Sequence, residues 1–317
     1  MTSYSRSLSG LALAVLASTT ALGAQEGSRP RLEDLFEVAA LGSLAFSPDG
    51  RQLLYTVRTA NLEKNTTNTD IWLIALPDRE PPRTVRLTRN PKNDTSPRWR
   101  PDGRAFAFLS VRGGDSVRGG DQRARDGKAA LYTMSSAGGE PEQLYEHGTA
   151  IRAFEWSPDG KWIAFTANEE ESPEEKARKD KGRDIRVEDE PSEYAHLWVL
   201  EVESRKARRV TRGRDFTVNG FAWSPDSQTV AFAAPPTPLI TDSWKSDIYT
   251  IKATDTTAAP RRLTTNPGPD ASPVYSPDGA FIYYQGFQGD GYRVGYDRVF
   301  RIGKDGGDPV DVTPAAD

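Results

Sequence analysis

The chain has 317 residues, of which 36% are hydrophobic, 9% aromatic and 27% charged, and its formal net charge is −4. This balance excludes a membrane-spanning protein and a globally basic surface for nucleic acid, while the aromatic content is sufficient for a hydrophobic core. The chain lacks cysteine and has only two histidines, His147 and His196. We therefore expect no disulfide, no thiolate metal site, no metal and no cofactor.

Residues 1–24 have the three parts of a secretory signal peptide. The basic Arg6 precedes an apolar run at 11–17, and the small residues Ala21, Gly23 and Ala24 follow. The run is too short to span a membrane. We predict a cleaved signal, a leader segment at 25–40 and a periplasmic or secreted mature protein; a buried N-terminal helix is the alternative.

The rest of the chain repeats one turn. Its copies begin at Ser47, Arg100, Ser157, Ser224 and Ser276; each continues Pro-Asp and ends in Gly, except that the fourth ends in Ser227. The prolines are 53, 57, 67 and 52 residues apart. Proline and aspartate suit the central positions of a type I turn, and glycine adopts the left-handed conformation that follows in a bulged hairpin. Each copy therefore predicts two strands joined tightly, and Ser227→Gly is expected to stabilise its copy slightly.

Apolar and aromatic residues alternate after each turn, which indicates a strand with one buried face. Alanine occupies the intervening position in three copies, so we expect the other face to be covered too. Third strands are predicted at 71–74, 131–134, 197–200, 248–251 and 299–302, and fourth strands at 86–88, 143–145, 209–211, 262–264 and 311–313. Four antiparallel strands per repeat predict an all-β fold, a β-propeller (residues 41–317), with blades at about 41–88, 95–145, 150–211, 217–264 and 271–313. Five blades suggest an incomplete ring; a β-sandwich is the alternative fold.

Two insertions interrupt the period, and neither suggests chemistry. Residues 113–128 repeat Arg-Gly-Gly-Asp and predict a flexible loop, whereas 169–193 carry 17 charges and predict a solvated excursion. Within the latter, Glu169, Glu170 and Glu171 could bind a peptide ammonium group, but such a triplet is more often part of a charged, solvated excursion, and a contact surface for another domain is the other alternative.

Catalytic motifs are missing from the sequence. A nucleophile elbow requires Gly-x-Ser-x-Gly, and residues 114–118 fail at Arg118; a phosphate-binding loop is not matched either. His147 and His196 are interpreted as strand-end residues with local hydrogen bonds. We assign no catalytic, substrate-binding, cofactor or metal residue.

The turn and its in-phase Leu-Thr strand resemble the propeller of the prolyl oligopeptidase family and of TolB-like periplasmic proteins. Residues 32–36, 194–199, 236–240 and 246–249 are similar to acylaminoacyl-peptidase-like and dipeptidyl-aminopeptidase-like members, and the resemblance covers about residues 31–313. It implies a propeller of seven or eight blades that covers the active site of an α/β-hydrolase domain with a Ser, Asp, His triad. That domain is absent from this chain, so no catalytic residue carries over.

Two functions follow as expectations. The first is the substrate-gating N-terminal portion of a secreted serine peptidase, inactive alone, whose partners are its hydrolase domain and peptide substrates, with no nucleic acid and no membrane span. The second is a free-standing periplasmic TolB-like protein-binding module. A propeller enzyme of sialidase or lactonase type is disfavoured because the polar clusters it requires are not evident.

Overall fold

The computed structural model describes residues 38–76, 81–112, 128–170, 193–289 and 295–313, together with the single position Ala177. The predicted signal peptide, the leader up to residue 37 and most of both insertions, including residues 114–118, lie outside the described residues. Within these ranges the chain forms twenty β-strands and one 3₁₀ helix, Ile240–Lys245.

The strands form five separate antiparallel sheets, each made from four consecutive strands. Sheet 1 contains β1 (Ala40–Phe46), β2 (Gln52–Asn61), β3 (Thr66–Ala75) and β4 (Arg83–Arg86). Sheet 2 contains β5 (Asp94–Trp99), β6 (Ala105–Ser110), β7 (Ala130–Ser135) and β8 (Glu142–Tyr145). Sheet 3 contains β9 (Ile151–Trp156), β10 (Trp162–Asn168), β11 (Ala195–Glu201) and β12 (Lys206–Arg209). Sheet 4 contains β13 (Gly220–Trp223), β14 (Thr229–Ala234), β15 (Asp247–Lys252) and β16 (Arg261–Arg262). Sheet 5 contains β17 (Asp270–Tyr275), β18 (Phe281–Gly289), β19 (Gly295–Gly303) and β20 (Val310–Asp311).

Each pair of successive sheets encloses a hydrophobic cluster, and the second strands show why. In β6, Phe106 and Phe108 pack into the cluster shared with sheet 1, whereas Ala107 faces the cluster shared with sheet 3. Ala164 and Ala231 likewise face the following sheet. The expectation that both faces are covered is confirmed for these three alanines, which are fully buried. A large residue towards one neighbour and a small residue towards the other lets the sheets pack closely.

The first strands of neighbouring sheets contact one another, β1 with β5, β5 with β9, β9 with β13 and β13 with β17. Since each sheet runs in order from its first strand to its fourth, the first strands converge and the fourth strands lie at the periphery. This radial arrangement of four-stranded antiparallel sheets is that of a β-propeller, which confirms the predicted fold class.

The repeated turn has the predicted geometry. The last turn residues Gly50, Gly103, Gly160, Ser227 and Gly279 all have a positive φ of 60–71°. In the serine copies the hydroxyl donates to the aspartate, as in Ser47 Oγ to Asp49 Oδ1 at 2.6 Å, and accepts from the first residue of the next strand, as from the Gln52 amide at 2.9 Å. The hydrogen bond from the Ser47 hydroxyl holds the pKa of Asp49 below its usual value.

The Leu-Thr segment differs from the prediction that it forms the fourth strand. Strand β4 ends at Arg86 and β16 at Arg262, so Leu87-Thr88 and Leu263-Thr264 lie beyond the strands. The Leu87 and Leu263 N–H groups still donate to the Ile71 and Ile248 carbonyls at 2.8 Å, but a threonine hydroxyl takes the place of the reciprocal backbone acceptor. Thr88 Oγ1 accepts from the backbone N–H of Ile71 at 3.0 Å, and Thr264 Oγ1 accepts from that of Ile248 at 2.9 Å.

Candidate functional face

The two ends of the sheets differ in how their strands are connected. First and second strands are joined by five residues in every sheet, at 47–51, 100–104, 157–161, 224–228 and 276–280. Second and third strands are joined at the opposite end, by connections that vary from four residues at 62–65 to 26 at 169–194. We call these ends the turn face and the loop face. The connections that vary most in length are therefore at one end, which places the candidate functional residues on the loop face.

Both ends of the described chain also lie on the loop face. In each sheet the first and third strands run towards the turn face, and the second and fourth run away from it. Strand β1 therefore begins at the loop face, at Ala40, and β20 ends there, at Asp311.

An Arg-x-Thr motif fastens the fourth strand at the loop face in sheets 1, 3 and 4. The arginine Nε donates to the carbonyl of the threonine two residues later, at 3.0 Å for Arg86, 2.8 Å for Arg209 and 3.0 Å for Arg262. The Nη2 of the same arginine donates to a carboxylate, which is Asp70 at 2.7 Å, Glu169 at 2.7 Å and Asp247 at 2.5 Å respectively. Each guanidinium therefore donates to two different acceptors, through Nε and Nη2, which fixes its position.

Sheet 5 carries the same ion pair with its charges exchanged. Here the arginine, Arg298, is on the third strand and the acid, Asp311, is on the fourth, with Nη1 and Oδ2 2.7 Å apart. As Thr88 does in sheet 1, Thr313 accepts through its hydroxyl oxygen from a backbone N–H of the third strand, that of Val299, at 2.7 Å.

Two fully buried aspartates occupy the first positions of β5 and β17. Asp94 forms an ion pair with Arg112, whose guanidinium lies over the rings of Phe108 and Tyr132 at 5.3 and 5.2 Å. Asp270 is different, because no ion pair to it is found within the described ranges. Its Oδ1 accepts from Asn266 Nδ2 at 3.0 Å.

The environment of Asp270 makes its charge costly. Burial, together with the nearby Asp247 carboxylate, raises the pKa of Asp270 to about 6, although hydrogen bonds from Thr264 and Asn266 oppose this shift. Asp270 is therefore a buried carboxylate that titrates close to neutral pH.

His196 lies at the start of β11, as the sequence suggested, and its side chain is 1% exposed. Its Nε2 is 3.2 Å from Glu169 Oε1, and its Nδ1 is 3.4 Å from Thr211 Oγ1. Burial and the adjacent Arg209 lower its pKa to about 4, against the opposing effect of Glu169. The imidazole is therefore neutral at pH 7 and serves as packing beside an ion pair.

Glu169 is held by cations of the propeller itself. Besides Arg209, Arg214 Nε lies 3.5 Å from its Oε2. The neighbouring Glu170 carboxylate lies against Gly148, so closely that a Cβ there would be 1.7 Å from Oε1. Glu171 lies outside the described residues. Glu169 is thus engaged within the propeller, which argues against a free carboxylate pair for a peptide ammonium group.

His147 follows β8 and packs among aromatic rings. Its Nδ1 is 3.4 Å from the Tyr145 hydroxyl, and its ring centroid is 4.4 Å from that of Trp198 and 5.5 Å from that of Phe165. Burial lowers its pKa. The two histidines therefore lie apart. His147 is between sheets 2 and 3, and His196 is within sheet 3. Among the described residues no three His, Asp or Glu side chains are grouped as metal ligands would be.

A cleft of about 560 Å³ opens on the turn face between sheets 4 and 5. Its acidic groups are already bound locally. Asp226 and Asp278 accept from the serines of their own turns, Asp255 accepts from Thr257, and Asp305 pairs with Lys304. These four aspartates of the cleft are therefore already engaged by their own turns or neighbours.

Large exposed apolar side chains are concentrated at three places. One group is in sheet 1, a second is in and beside sheet 5, and a third is the 3₁₀ helix; the groups are Leu41, Leu44, Phe46 and Val85, then Val274, Val299, Val310 and Val312, then Ile240 and Trp244. Val38 and Leu62, which lie just outside the strands of sheet 1, are exposed as well. No strand residue of sheets 2, 3 and 4 within the described ranges belongs to this set. We call the first two groups the sheet 1 flank and the sheet 5 flank, since among the described strands these sheets have a neighbouring sheet on one side only.

At two of the five turns, the preceding tryptophan shows what a neighbouring sheet provides. Trp99 and Trp223 are 8% and 7% exposed, and their indole N–H groups donate to carbonyls of the preceding sheet, at Ala45 and Glu155. Phe46, at the same position of sheet 1, is 55% exposed.

These features define a β-propeller portion with two open flanks and a loop face that carries its variable connections. A family model described as "WD domain, G-beta repeat" matches residues 139–169. Over 231 residues the chain is 28% identical to the "Uncharacterized peptidase YuxL" of Bacillus subtilis, which covers 68% of this chain and 33% of that protein. Over 295 residues it is 25% identical to "Dipeptidyl-peptidase 5" of Porphyromonas endodontalis, which covers 85% of this chain and 40% of that protein.

Solved structures show the same fold. The acylaminoacyl peptidase of Pyrococcus horikoshii matches with a TM-score of 0.61 at 17% identity, over 88% of this chain and 40% of that chain. The putative TolB of Agrobacterium tumefaciens matches with a TM-score of 0.54 at 19% identity, over 86% and 80%. The β-propeller domain of the Trilobed protease of Pyrococcus furiosus matches with a TM-score of 0.56 at 16% identity, over 87% and 72%. The predicted resemblance to peptidase propellers and TolB is confirmed.

The chain spans one third to less than half of the length of the curated relatives named above. In the described part, no helix has the length and apolar character required to cross a bilayer.

Proposed function

We propose that this chain is the N-terminal propeller portion of a secreted serine peptidase, which covers the active site of a following α/β-hydrolase domain and admits short or flexible peptides. The observation that carries the proposal is the similarity of most of the chain to one third of a peptidase and to two fifths of a dipeptidyl-peptidase. A following domain would be attached on the loop face, where the last described strand ends at Asp311.

The open flanks fit the same proposal. Further sheets of the same kind would pack on Val299 and Val310 at one end and on Leu44 and Phe46 at the other. Each would bury apolar surface in the way that the four observed clusters do.

The proposed location is the periplasm or the outside of the cell, because residues 1–24 have the pattern of a secretory signal. Edman sequencing of the mature protein tests this directly. A mature N-terminus near residue 24 or 25 is expected, and an intact Met1 on the cellular protein would contradict it.

The complete reading frame is the decisive experiment for the activity. A Gly-x-Ser-x-Gly motif followed by Asp and His is expected, and the encoded protein should hydrolyse dipeptidyl or acylaminoacyl chromogenic substrates. Alanine in place of that serine should abolish turnover. The 317-residue chain alone should show none, because it carries no nucleophile elbow. Turnover by the homogeneous chain that a serine-directed inhibitor abolishes would contradict the proposal.

A free-standing protein-binding module is the second candidate. It is favoured by the TolB likeness, which covers 80% of that chain rather than a minor part of it. A reading frame without a hydrolase domain, together with a monodisperse monomer, would favour this candidate.

A further inference from the structure

We propose that residues 235–246, which we call the apolar knob, form a docking contact for the catalytic domain; this rests on the function proposed above. The knob joins β14 to β15 on the loop face of sheet 4 and contains the 3₁₀ helix Ile240–Lys245.

The knob exposes apolar surface that no missing sheet would cover. Ile240 is 88% exposed, which is the highest value among the large apolar side chains of the described residues, and Trp244 is 38% exposed. Sheet 4 has a neighbouring sheet on both sides, so a missing neighbour does not account for the exposure of these two side chains. Trp and large aliphatic side chains are typical anchors of protein contacts.

Internal hydrogen bonds hold the knob in one conformation. Thr237 Oγ1 donates to Asp242 Oδ2 at 2.6 Å, and Lys245 Nζ donates to Asp242 Oδ1 at 2.7 Å. The Ser243 hydroxyl donates to the Ile240 carbonyl at 2.7 Å. Lys245 and Thr237 together keep the pKa of Asp242 below its usual value, so the carboxylate remains an acceptor at neutral pH. A contact that is already ordered loses little conformational entropy when it docks.

The size of the knob indicates a tethered occupant. Two exposed side chains are far less than the roughly 800 Å² per partner that a stable complex of free proteins buries. A domain of the same polypeptide needs less, because the linkage gives it an effective concentration on the order of millimolar. The described chain ends at Thr313, beyond β20, on the same face as the knob. A domain attached there reaches the knob without crossing the propeller.

The occupant should therefore present an apolar depression that accepts Ile240 and the edge of Trp244. Its rim should be polar, because Thr241, Ser243 and Lys245 surround these side chains and are exposed. An occupant of this kind would fix the orientation of sheet 4 relative to the active site.

Hydrogen–deuterium exchange on the complete polypeptide and on the 317-residue chain tests the contact. Amides of 240–245 should exchange at least about tenfold more slowly in the complete polypeptide. Those of the turn at 224–228, in the same sheet but on the turn face, should not change. Ile240→Asp should remove the protection while leaving the thermal midpoint of the 317-residue chain unaltered. Ala259→Asp adds the same charge at an exposed site on the turn face of sheet 4 and should leave the protection intact.

The outcomes separate the docking contact from the proposed function. If the complete polypeptide hydrolyses peptides but 240–245 exchange equally fast in both proteins, the docking contact is wrong and the peptidase function stands. If the reading frame encodes no catalytic domain, both fail. Protection that appears in the 317-residue chain and rises with its concentration would identify a second copy as the occupant and overturn the proposal.

Discussion

At the scale of single residues, Asp270 predicts an unusual dependence of stability on pH. Its pKa is raised from 3.8 to about 6 by burial and by Asp247, while hydrogen bonds from Thr264 and Asn266 and the charge of Arg262 oppose the shift. A carboxyl whose folded pKa is raised stabilises the fold below its unfolded pKa, and this contribution is lost as the pH rises through the folded value. Two pKa units correspond to a penalty on the order of 3 kcal/mol at pH 8.

Asp270→Asn should therefore stabilise the chain at pH 8 and have little effect at pH 4. Asparagine keeps the acceptor for Asn266 and removes the charge. Urea unfolding at the two pH values measures the change. Asp94→Asn is the matched control, since it leaves the buried Arg112 unpaired and should destabilise the chain at pH 8. A loss of stability at pH 8 in the Asp270 variant would contradict the assigned burial of its charge.

Ser227→Gly is a second test at this scale. The φ of 60° confirms the left-handed conformation, in which a non-glycine residue costs on the order of 1 kcal/mol. However, Ser227 Oγ also accepts from the Asp159 N–H at 3.1 Å, which joins the turns of sheets 3 and 4. Loss of this bond costs about 1 kcal/mol and glycine adds entropy to the unfolded chain, so the sequence-based expectation of a slight gain is replaced.

The expected result for Ser227→Gly is a change between zero and about 1 kcal/mol of destabilisation. Ser227→Ala separates the two effects, because it loses the hydrogen bond and keeps the strain, and should be the less stable variant. A clear gain in the thermal midpoint of the glycine variant would show that the hydrogen bond contributes nothing.

At the scale of the elements, the aromatic residue before each turn is one sequence feature with two structural outcomes. Trp223 packs into the cluster between sheets 3 and 4, whereas Phe46 lies on the sheet 1 flank. Trp223→Ala should cost about 3–5 kcal/mol, because it leaves a cavity and an unpaired Glu155 carbonyl. Phe46→Ala should cost less than about 1 kcal/mol. Equal losses in chemical denaturation would mean that the sheet 1 flank is covered in the isolated chain.

The elements also show how far the sequence predicts the structure. The turns, the alternation of the second strands and the repeat number follow from local patterns, and these were predicted. The end of β4 was not, because it depends on the bond between Thr88 and Ile71, 17 residues apart. The buried position of Asp94 and the bond between Asp159 and Ser227 depend on how sheets pack, which no local pattern records. An acidic residue directly before the third-strand segments predicted at 71–74 and 248–251, namely Asp70 and Asp247, was the available signal for the loop-face ion pairs.

At the scale of the whole molecule, the sheet 1 flank and the sheet 5 flank predict self-association of the isolated chain. Each presents apolar side chains that in sheets 2–4 are buried against a neighbour, and such surfaces together with open sheet edges associate in water. Sedimentation velocity should show species larger than a monomer whose proportion rises with concentration. Val299→Lys on the sheet 5 flank should reduce the proportion of these larger species, and Ala259→Lys on the turn face should not. A monomer at all concentrations would contradict the prediction.

Within the described ranges each sheet is built from its own consecutive strands, and no strand there passes back around the assembly to complete an earlier sheet. Its energetics are then those of a linear array, in which every unit has its own stability and one coupling term to each neighbour. Tension applied between the two ends would detach the outermost unit first, since it has a single coupling to break, and the interior units would remain folded. Under tension the molecule should therefore unfold sheet by sheet, as repeat proteins do whose units contact only their neighbours.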